Sequence, residues 1–388
     1  MRGAKKLKAI INGKIITEKE VLDNKVLLYN DKILGFQEQE TAEQLLQTCE
    51  EVIDAKGNYV SPGFIDMHIH GSGGHDVMDG TVESLTVISS TVARNGVTGF
   101  FPTTMTMSKE KIYTALDNIS YFMGKEIQGA KILGAHMEGP FINKKYKGAQ
   151  AEDFIIEPSF SFIEKYVDTI KVITLAPEMD DNFNFIKEIK EKTDIILSIG
   201  HSNAEYEQAM EAIQNGISHA THTFNAMTPL NHRKPGAVGA IFNSEIYCEL
   251  IADKIHVHPG IFKILEKIKG MDKIILITDS MRAGCLKDGI SELGGQKVIV
   301  KDNTARLEDG TLAGSILRLN QSIKNFMDCT GTGICEAIKL ASLNPSKELG
   351  IEKQKGSLEV GKNSDIVILD EALNVKQTIV EGKTVFKI

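Results

Sequence analysis

Two histidines, His68 and His70, stand one residue apart at the end of the apolar run FIDMHIH (64–70), just before the glycine-rich segment GSGG. Side chains alternate across a β-strand, so both imidazoles point to the same face and can bind one cation between them. The glycines allow the following loop to pass close to the pair. The spacing therefore predicts a metal-chelating pair at the end of a strand.

Four other apolar runs also end in a residue type that binds metals, namely Glu138 in ILGAHMEG, His201 in DIILSIGHS, His222 in SHATHTFN and Asp279 in KIILITDS. A single histidine in such a run is usually a hydrogen-bonded core residue. The combination of four histidines and two carboxylates at five run ends instead predicts a divalent metal site. Imidazole and carboxylate ligands suit zinc, iron or manganese, with zinc favoured here. All ten histidines lie between residues 68 and 258, so this part of the chain carries the chemistry.

Other roles stay open for several of these residues. Glu138 could cap the following segment or pair with a lysine of NKKYK, and Asp279 could be a helix N-cap. Further polar residues near the runs are interpreted as structural or as supports for the ligands: His75, Asp76, His136 and His219. The GSGG segment is a weak nucleotide signal, because no GKS or GKT follows it and it does not fit GxGxxG.

The elements that must position these residues alternate between strands and helices. Helical spacing occurs in stretches such as 81–96, 108–126 and 203–216, and between them lie eight β-branched runs: 64–70, 97–104, 132–139, 171–178, 194–202, 218–225, 247–253 and 273–280. Eight such units predict an α/β fold with a metal-dependent (β/α)8 TIM-like barrel over residues 61–355. Active sites of these barrels lie at the C-terminal ends of the strands, where the candidate ligands stand. The stretch from 223 to 245 is predicted to be mostly loop.

Both flanks of the barrel show a different pattern. Residues 1–60 and 356–388 contain alternating apolar and polar residues with NG, ND, KG and EGK turns, which predicts antiparallel β-structure. Neither flank alone would bury a sheet well, so we expect both termini to form one small β-sandwich domain. Residues 284–313 are predicted to be an insertion with hairpins that overhangs the barrel mouth.

Composition limits the classes of protein that fit. The chain has 388 residues, 42% of them hydrophobic, and no apolar stretch near 18 residues, which argues against a membrane partner. A net charge of −8 without a basic stripe argues against nucleic acid, and it is compatible with a small anionic substrate held by local cations. The start of the chain lacks the pattern of a signal peptide, and five scattered cysteines suit reduced thiols. We therefore expect a cytoplasmic protein.

Seven segments of the chain resemble the N-acetylglucosamine-6-phosphate deacetylases of the amidohydrolase superfamily: SPGFIDMHIHGSGG, HMEGPFINKKYKGAQ, IGHSNA, THTFNAM, IADKIHVHP, ITDSM and GTLAGS. The resemblance covers almost the whole chain. The HxH pair after PGFID is typical of the superfamily, whereas HxEGP, GHS, THxFNAM and ADxxHV together are specific to the deacetylases. The resemblance implies a barrel with a small β-sandwich, and hydrolysis of N-acetyl-D-glucosamine 6-phosphate to D-glucosamine 6-phosphate and acetate.

The resemblance also implies roles for the candidate metal ligands. Glu138, His201 and His222 would bind one ion, and His68 and His70 would bind a second ion that Glu138 bridges. Some members lack the HxH pair and use one metal, so we expect one or two divalent ions per subunit. A divalent metal lowers the pKa of bound water from about 15.7 to about 7, which makes water the expected nucleophile. Asp279 would be the general base and then the general acid.

A further set of residues would bind the phosphorylated amino sugar in this family pattern: Ala149, Asn225, Ala226, Arg233, His256, Leu312, Ala313 and Gly314. Arg233 offers a planar fork for phosphate, and His256 would reach the phosphate from the partner subunit of a homodimer. Gln150 departs from the pattern of relatives that have histidine there, which puts an oxyanion role at this position in doubt.

Two alternatives compete with a deacetylase. Cyclic amidases such as dihydroorotases and hydantoinases, or deaminases of cyclic amidines, commonly bridge two metals with a carboxylated lysine at the end of the fourth strand. Lys171 stands at the beginning of that run, which disfavours the cyclic amidases. A non-catalytic scaffold on a decayed barrel would be expected to lose metal ligands, and all six candidates are present. Metal analysis would separate the scaffold from an enzyme.

Overall fold

The structure is a computed structural model that describes residues 6–388. The N-terminal elements are β1 (Lys8–Ile16), β2 (Val21–Tyr29), β3 (Ile33–Glu38), α1 (Glu43–Leu46), β4 (Glu51–Asp54) and β5 (Tyr59–Pro62). The next elements are β6 (Phe64–Ile69), β7 (Gly71–Ser72), β8 (His75–Asp76), α2 (Val82–Ala93), β9 (Val97–Thr104), α3 (Lys109–Phe122), β10 (Lys131–Ile132), β11 (Ala135–Glu138), α4 (Phe160–Ile163) and β12 (Ile170–Leu175).

The second half of the chain continues the alternation and then returns to strands. It contains α5 (Asn184–Lys192), β13 (Ile196–Ile199), α6 (Tyr206–Asn215), β14 (His219–Ala220), α7 (Gly236–Phe242), β15 (Tyr247–Ile251), α8 (Pro259–Lys269) and β16 (Ile274–Ile277). The remaining elements are β17 (Gly289–Leu293), β18 (Gln296–Lys301), β19 (Thr304–Leu307), α9 (Leu319–Thr330), α10 (Ile334–Lys339), α11 (Leu343–Glu348), β20 (Ile366–Leu369), β21 (Val375–Val380) and β22 (Lys383–Lys387).

Parallel strands form the predicted barrel in the order β6, β9, β11, β12, β13, β14, β15 and β16. Each of the eight predicted apolar runs overlaps one of these strands, and the third run overlaps both β10 and β11. Backbone hydrogen bonds close the barrel between β16 and β6, from the N–H of Asp279 to the carbonyl of His68 (2.8 Å) and from the N–H of His70 to the carbonyl of Ser280 (2.9 Å). The prediction of a (β/α)8 barrel is confirmed.

Helices surround the barrel and begin at residues suited to start them. The hydroxyl oxygen of Thr81 accepts a hydrogen bond from the Ser84 N–H at the start of α2, and the Ser108 hydroxyl caps α3 in the same way. The predicted helical stretches 81–96, 108–126 and 203–216 contain α2, α3 and α6. The stretch between the sixth and seventh strands, predicted to be mostly loop, also contains α7, which is buried along most of its length.

Both termini contribute to one eight-stranded sheet, in which β5 and β20 join the N-terminal to the C-terminal part. Most pairings are antiparallel, as predicted, but β1 pairs in parallel with β4 and with β5. The reason is topological. β2 and β3 reverse the chain twice on one side of β1, and the segment after β3 then crosses to the other side, so β4 begins beside the start of β1 and runs parallel to it. The sheet has an apolar core of its own, which includes Ile10, Leu27, Val60, Ile366 and Ile379.

The segment after β16 forms the predicted insertion with hairpins. Strands β17, β18 and β19 make a small antiparallel sheet, and the Gln296 side chain donates a hydrogen bond to the carbonyl of Ala149 (2.6 Å). Leu293 and Arg306 from this sheet line the cavity at the C-terminal end of the barrel. The insertion therefore covers part of the barrel mouth. Within residues 6–388, no helix has both the length and the apolar character needed to cross a bilayer.

Candidate metal centre and active site

Side chains from five strand ends meet at the C-terminal mouth of the barrel. His68 and His70 belong to β6 and its end, Glu138 is the last residue of β11, and three more follow β13, β14 and β16 by two residues: His201, His222 and Asp279. All six side chains are buried. The last three have φ values of 49°, 28° and 48°, a left-handed backbone that residues with a Cβ rarely adopt. The chain therefore turns sharply as it leaves these strands, and the turn contributes to the position of each side chain.

The Glu138 carboxylate lies at the middle of this cluster. Its Oε1 is 3.2 Å from His201 Nε2, 3.0 Å from His222 Nε2 and 3.4 Å from His68 Nε2. Its Oε2 is 3.2 Å from His70 Nε2. Asp279 Oδ1 lies 3.3 Å from His70 Nε2 and 3.6 Å from His68 Nε2. The structure thus brings together all six residues that the sequence predicts as metal ligands.

Hydrogen bonds on the far side of the rings fix which nitrogen faces the centre. The Nδ1 atoms of His70 and His201 lie 3.2 Å from the Thr103 carbonyl and 2.8 Å from the Tyr146 carbonyl. His68 Nδ1 lies 3.0 Å from the carboxylate of Glu249. Because these oxygens can only accept, each Nδ1 carries a proton, and Nε2 is the ring nitrogen that faces the cluster and can offer its lone pair to a cation there.

This arrangement fits a cation. The Nε2 atoms of His201 and His222 are 3.1 Å apart, and those of His68 and His70 are 3.4 Å apart. Lone pairs that face one another and two carboxylates repel unless a proton or a cation lies between them. Two overlapping sets share Glu138, one with His68 and His70 and one with His201 and His222, and the ligand atoms of each set lie within 4.8 Å of one another. The donors therefore suit one or two divalent ions.

The charges at the centre agree with this conclusion. Burial raises the pKa of Glu138, but the nearby His68 and His201 more than offset that effect and hold the pKa well below its usual range. The pKa of Asp279 is likewise lowered, because His68 and His70 outweigh its burial. Both carboxylates are therefore anionic at neutral pH and attract a cation.

A third group of possible ligands lies deeper in the barrel and consists of His68, His136 and Glu249. Hydrogen bonds already occupy both ring nitrogens of His136, which lie 3.1 Å from the Met67 carbonyl and 2.7 Å from the Thr174 hydroxyl. Burial lowers the pKa of His136 to about 3, so the ring is neutral. His136 therefore supports the barrel interior and does not act as a ligand.

The glycines after His70 permit a close approach, as the sequence predicts. A Cβ on Gly71 would lie 2.3 Å from the His75 carbonyl oxygen and 2.9 Å from the Arg282 nitrogen. The Gly71 N–H donates a hydrogen bond to the Ser280 carbonyl (2.9 Å). The segment after His70 is thereby packed against the segment after Asp279, so two arms of the site are fixed to each other.

A cavity of about 510 Å³ opens above the cluster. Most of the predicted substrate-binding residues line it: Ala149, Asn225, Ala226, His256, Leu312 and Gly314. Ala313 is buried beside them. Arg233 does not line this cavity. It is exposed on the loop before α7 and lines a separate cavity with Glu205 and Tyr206.

The structure corrects the expectation that His256 comes from a partner subunit, because His256 lines the cavity of its own chain. The Asp253 carboxylate accepts hydrogen bonds from the backbone N–H groups of Ile255 and His256 (2.8 Å each) and from the His256 ring (2.6 Å). These bonds form a tight turn after β15, and the turn directs His256 back over the barrel mouth.

Sequence reasoning missed three residues at the site, Glu249, Lys145 and Arg306, and left the role of a fourth, Gln150, in doubt. Glu249 lies within the apolar run of β15, where a charged residue is itself a signal. Gln150 donates a hydrogen bond to Glu138 Oε2 (2.6 Å) and accepts one from the Thr106 N–H (2.8 Å). Lys145 and Arg306 add cationic side chains to the cavity lining, and no feature of their local sequence distinguishes them.

A family comparison agrees with the geometry of the site. The model of the family described as "Amidohydrolase family" matches residues 59–385. The chain belongs to the amidohydrolase family. Amidohydrolases are metal-dependent enzymes, and the His/Glu cluster of this one is able to hold a metal.

Individual relatives of this amidohydrolase are similar over most of their length. It is 40% identical to the N-acetylglucosamine-6-phosphate deacetylase of Bacillus subtilis over 380 residues, which cover 96% of this chain and 95% of that protein. It is 34% identical to the N-acetylgalactosamine-6-phosphate deacetylase of Escherichia coli O157:H7, over 86% of this chain and 89% of that one. The crystal structure of the N-acetylglucosamine-6-phosphate deacetylase from Pasteurella multocida superposes with a TM-score of 0.92 at 33% identity, covering 97% and 99% of the two chains.

Proposed function

We propose that this amidohydrolase removes the acetyl group of N-acetyl-D-glucosamine 6-phosphate and releases D-glucosamine 6-phosphate and acetate, in amino-sugar catabolism or recycling. The observation that carries the proposal is the buried cluster around Glu138 at the floor of a cavity, with Asp279 beside it. Identity of 40% to a deacetylase of this specificity over nearly the whole chain supports the choice of substrate.

One or two divalent ions per subunit would be held by the six residues of the cluster: His68, His70, Glu138, His201, His222 and Asp279. Zinc suits these ligands best, and iron and manganese also fit. When bound, such an ion supplies Lewis acidity, which makes water nucleophilic near neutral pH and polarises a carbonyl oxygen. This chain's residues supply the rest of the chemistry.

Asp279 moves the proton in this proposal. Its pKa is lowered, so the carboxylate is free to accept the proton of the attacking water. The water oxygen forms a bond to the acetamide carbonyl carbon, the C–N bond breaks, and Asp279 returns the proton to the leaving amine nitrogen. The backbone contacts of Asp279 with β6 and with Ser315 (2.7 Å) hold the carboxylate at the edge of the cluster, within reach of a substrate in the cavity.

The cavity lining supplies contacts for the sugar. Its backbone and amide groups suit hydroxyl and acetamide groups and come from three loops: Ala149, Asn225, Ala226, Leu312, Ala313 and Gly314. His256 is proposed to bind the phosphate. Burial lowers its pKa, but the hydrogen bond and charge of Asp253 outweigh burial and leave the pKa raised, which favours a cationic ring. Arg306 and Lys145 add positive charge to the same cavity.

The assembly and setting are also proposals. We propose a homodimer in which Arg233, exposed and outside the cavity of its own chain, serves the phosphate in the site of the other copy. All five cysteines are free thiols, which suits the cytoplasm. We retain residues 1–60 and 356–388 as one β-sandwich domain, of which residues 1–5 lie outside the described part of the chain, and residues 61–355 as the barrel domain.

The related Escherichia coli enzyme named for N-acetylgalactosamine 6-phosphate indicates a second candidate substrate, which differs in the configuration of one hydroxyl.

The deciding experiment strips the protein of metal, reloads it with zinc, iron or manganese, and measures acetate release. The substrates are N-acetylglucosamine 6-phosphate, its unphosphorylated form and N-acetylgalactosamine 6-phosphate. Metal-dependent release with the highest kcat/KM for the first supports the proposal. A higher kcat/KM for N-acetylgalactosamine 6-phosphate would make that sugar the substrate in place of the first. No acetate release with any metal would contradict deacetylation of these sugars.

A further inference from the structure

Glu249 is a buried carboxylate beneath the metal centre that the proposed reaction leaves without a role. Its side chain is fully buried and does not line the cavity. Glu249 Oε2 accepts hydrogen bonds from the His68 ring (3.0 Å) and from the backbone N–H of His222 (2.9 Å), and Oε1 lies 3.2 Å from His219 Nε2. One carboxylate from β15 therefore contacts a residue from each half of the centre.

We propose that Glu249 is a positioning residue that makes the His68/His70 half of the centre able to bind a second divalent ion. The inference rests on the proposed function only in taking the cluster around Glu138 to bind metal. It does not depend on which substrate the enzyme hydrolyses.

Glu249 first determines the tautomer of His68. His68 Nε2 lies within 3.4 to 3.6 Å of two carboxylates, Glu138 and Asp279. Those carboxylates favour a proton on Nε2, which would leave no lone pair for a metal. Glu249 on the opposite side of the ring favours the proton on Nδ1 instead, and a shorter distance (3.0 Å) makes its hydrogen bond the better one. A carboxylate that holds a ligand imidazole in this way also raises the basicity of the coordinating nitrogen.

The other half of the centre depends less on Glu249. The Tyr146 carbonyl orients the His201 ring, and Gln150 holds Oε2 of Glu138. His222 touches Glu249 only through its backbone N–H. In Glu249→Gln, the amide would keep an oxygen that accepts the hydrogen bond from the His222 N–H, and it would weaken the hydrogen bond with the His68 ring because the charge is lost. The first ion, at Glu138, His201 and His222, is therefore expected to bind normally without the charge of Glu249.

The same chain of contacts offers a matched control. His219 lies between Glu249 and Glu348, with its Nδ1 3.4 Å from Glu348 Oε1. Glu348 is less completely buried, with 7% of its side chain exposed, and among the described residues it makes no hydrogen bond or ion pair with His68 or with another candidate ligand. Glu348→Gln removes one buried charge next to His219 and leaves the tautomer of His68 unchanged. A general loss of stability would affect both variants, whereas a positioning effect requires Glu249.

The test is a titration of metal-stripped protein with Co²⁺, followed by calorimetry and by the visible absorption of the bound ion. We expect wild type to bind two ions per chain. Glu249→Gln should bind the first ion as wild type does and the second about 10- to 100-fold more weakly. Glu348→Gln should bind both ions as wild type does. His68→Gln should weaken the second ion, and adding Glu249→Gln to it should cause no further loss.

Three results would overturn the inference. They are a wild type that binds a single ion, a Glu249→Gln variant that binds the second ion as tightly as wild type, and equal weakening in Glu348→Gln. If Glu249→Gln does not fold, Glu249→Asp, which keeps the charge but withdraws the oxygens from His68, is titrated with the same expectation. The absence of acetate release from any sugar would contradict the proposed function while leaving the titration result intact, so the two failures are distinguishable.

Discussion

The Nε2 atoms of His201 and His222 lie 3.1 Å apart, and both face the same oxygen of Glu138. Two lone pairs and a carboxylate oxygen at such distances stabilise one another only through positive charge between them. The β13 and β14 strand ends that carry these histidines are adjacent in the barrel. Their geometry therefore links metal binding to the packing of the barrel mouth.

Metal removal should consequently lower both activity and stability. We expect chelation to abolish acetate release and to lower the Tm, and added zinc, iron or manganese to restore both. A ligand that binds only the folded state at 100 times its Kd adds about 2.7 kcal/mol to the free energy of unfolding. The measurement is thermal unfolding of stripped and reloaded protein.

A pair of histidine variants provides the control for that experiment. His201→Asn removes a ligand and should lose most of the metal-dependent gain in Tm. His232→Asn changes an exposed histidine outside the cluster and should show the same metal-dependent gain in Tm as wild type. An equal gain in Tm for wild type and His201→Asn would contradict a metal site at Glu138.

Asp279→Asn should lower kcat without removing the first ion. The amide keeps the shape of the side chain but cannot accept the proton of water, and positioned proton transfer contributes roughly 10² to 10⁴ in rate. We expect kcat to fall by at least that range, with little change in KM and with metal retained at Glu138, His201 and His222. Steady-state kinetics and metal analysis measure the two effects. Asp302→Asn, on an exposed hairpin turn, is the control. Near-normal turnover of Asp279→Asn would rule out its role.

Much of the barrel and its site was predictable because both depend on local sequence features. Each barrel strand is a short apolar run, and parallel strands place their C-terminal ends at one mouth. Residues such as His68 and Asp279 could therefore be assigned to one cluster although 210 positions separate them along the printed sequence. The parallel pairing of β1 with β4 could not be predicted in the same way, because it depends on where the chain returns after β3 and α1.

Residues that position the metal ligands or the cavity residues through hydrogen bonds were harder to predict from the sequence. Glu249 stands inside an apolar run, and its partners His68 and His219 belong to other strands, 181 and 30 residues before it. The pairings of β14 with β15 and of β15 with β16, together with the barrel closure between β16 and β6, bring these side chains together. The position of His256 was mispredicted because it depends on a turn that the Asp253 carboxylate stabilises.

His256 should give substrate binding a pH dependence. Because its pKa is raised, the ring is cationic below that pKa and loses its charge as the pH rises through it. The KM for the phosphorylated sugar should therefore rise as the pH passes through that pKa, since the phosphate, with a second pKa of about 6, is then already dianionic. The KM for the unphosphorylated sugar should stay flat.

Asp253→Asn tests the cause of that dependence. It keeps an oxygen for the backbone N–H groups but removes the charge that raises the pKa of His256. We expect the rise in KM to begin at lower pH in Asp253→Asn and to disappear in His256→Asn. Parallel pH profiles of KM for the two sugars in wild type would contradict a phosphate contact by His256.

Arg233 should contribute to phosphate binding only from a neighbouring copy. Arg233→Ala is expected to raise the KM for the phosphorylated sugar and to leave the KM for the unphosphorylated sugar unchanged, since the fork of a guanidinium matches phosphate.

Because Arg233 is exposed outside the cavity of its own chain, dimers that contain two different variants provide a second test. In a dimer of one Arg233→Ala chain and one Asp279→Asn chain, one site would have an intact Asp279 and receive Arg233 from the other chain. Co-expression should therefore restore acetate release at low substrate concentration, although each variant alone is deficient there. Activity no higher than that of the separate variants would show that Arg233 does not act across an interface.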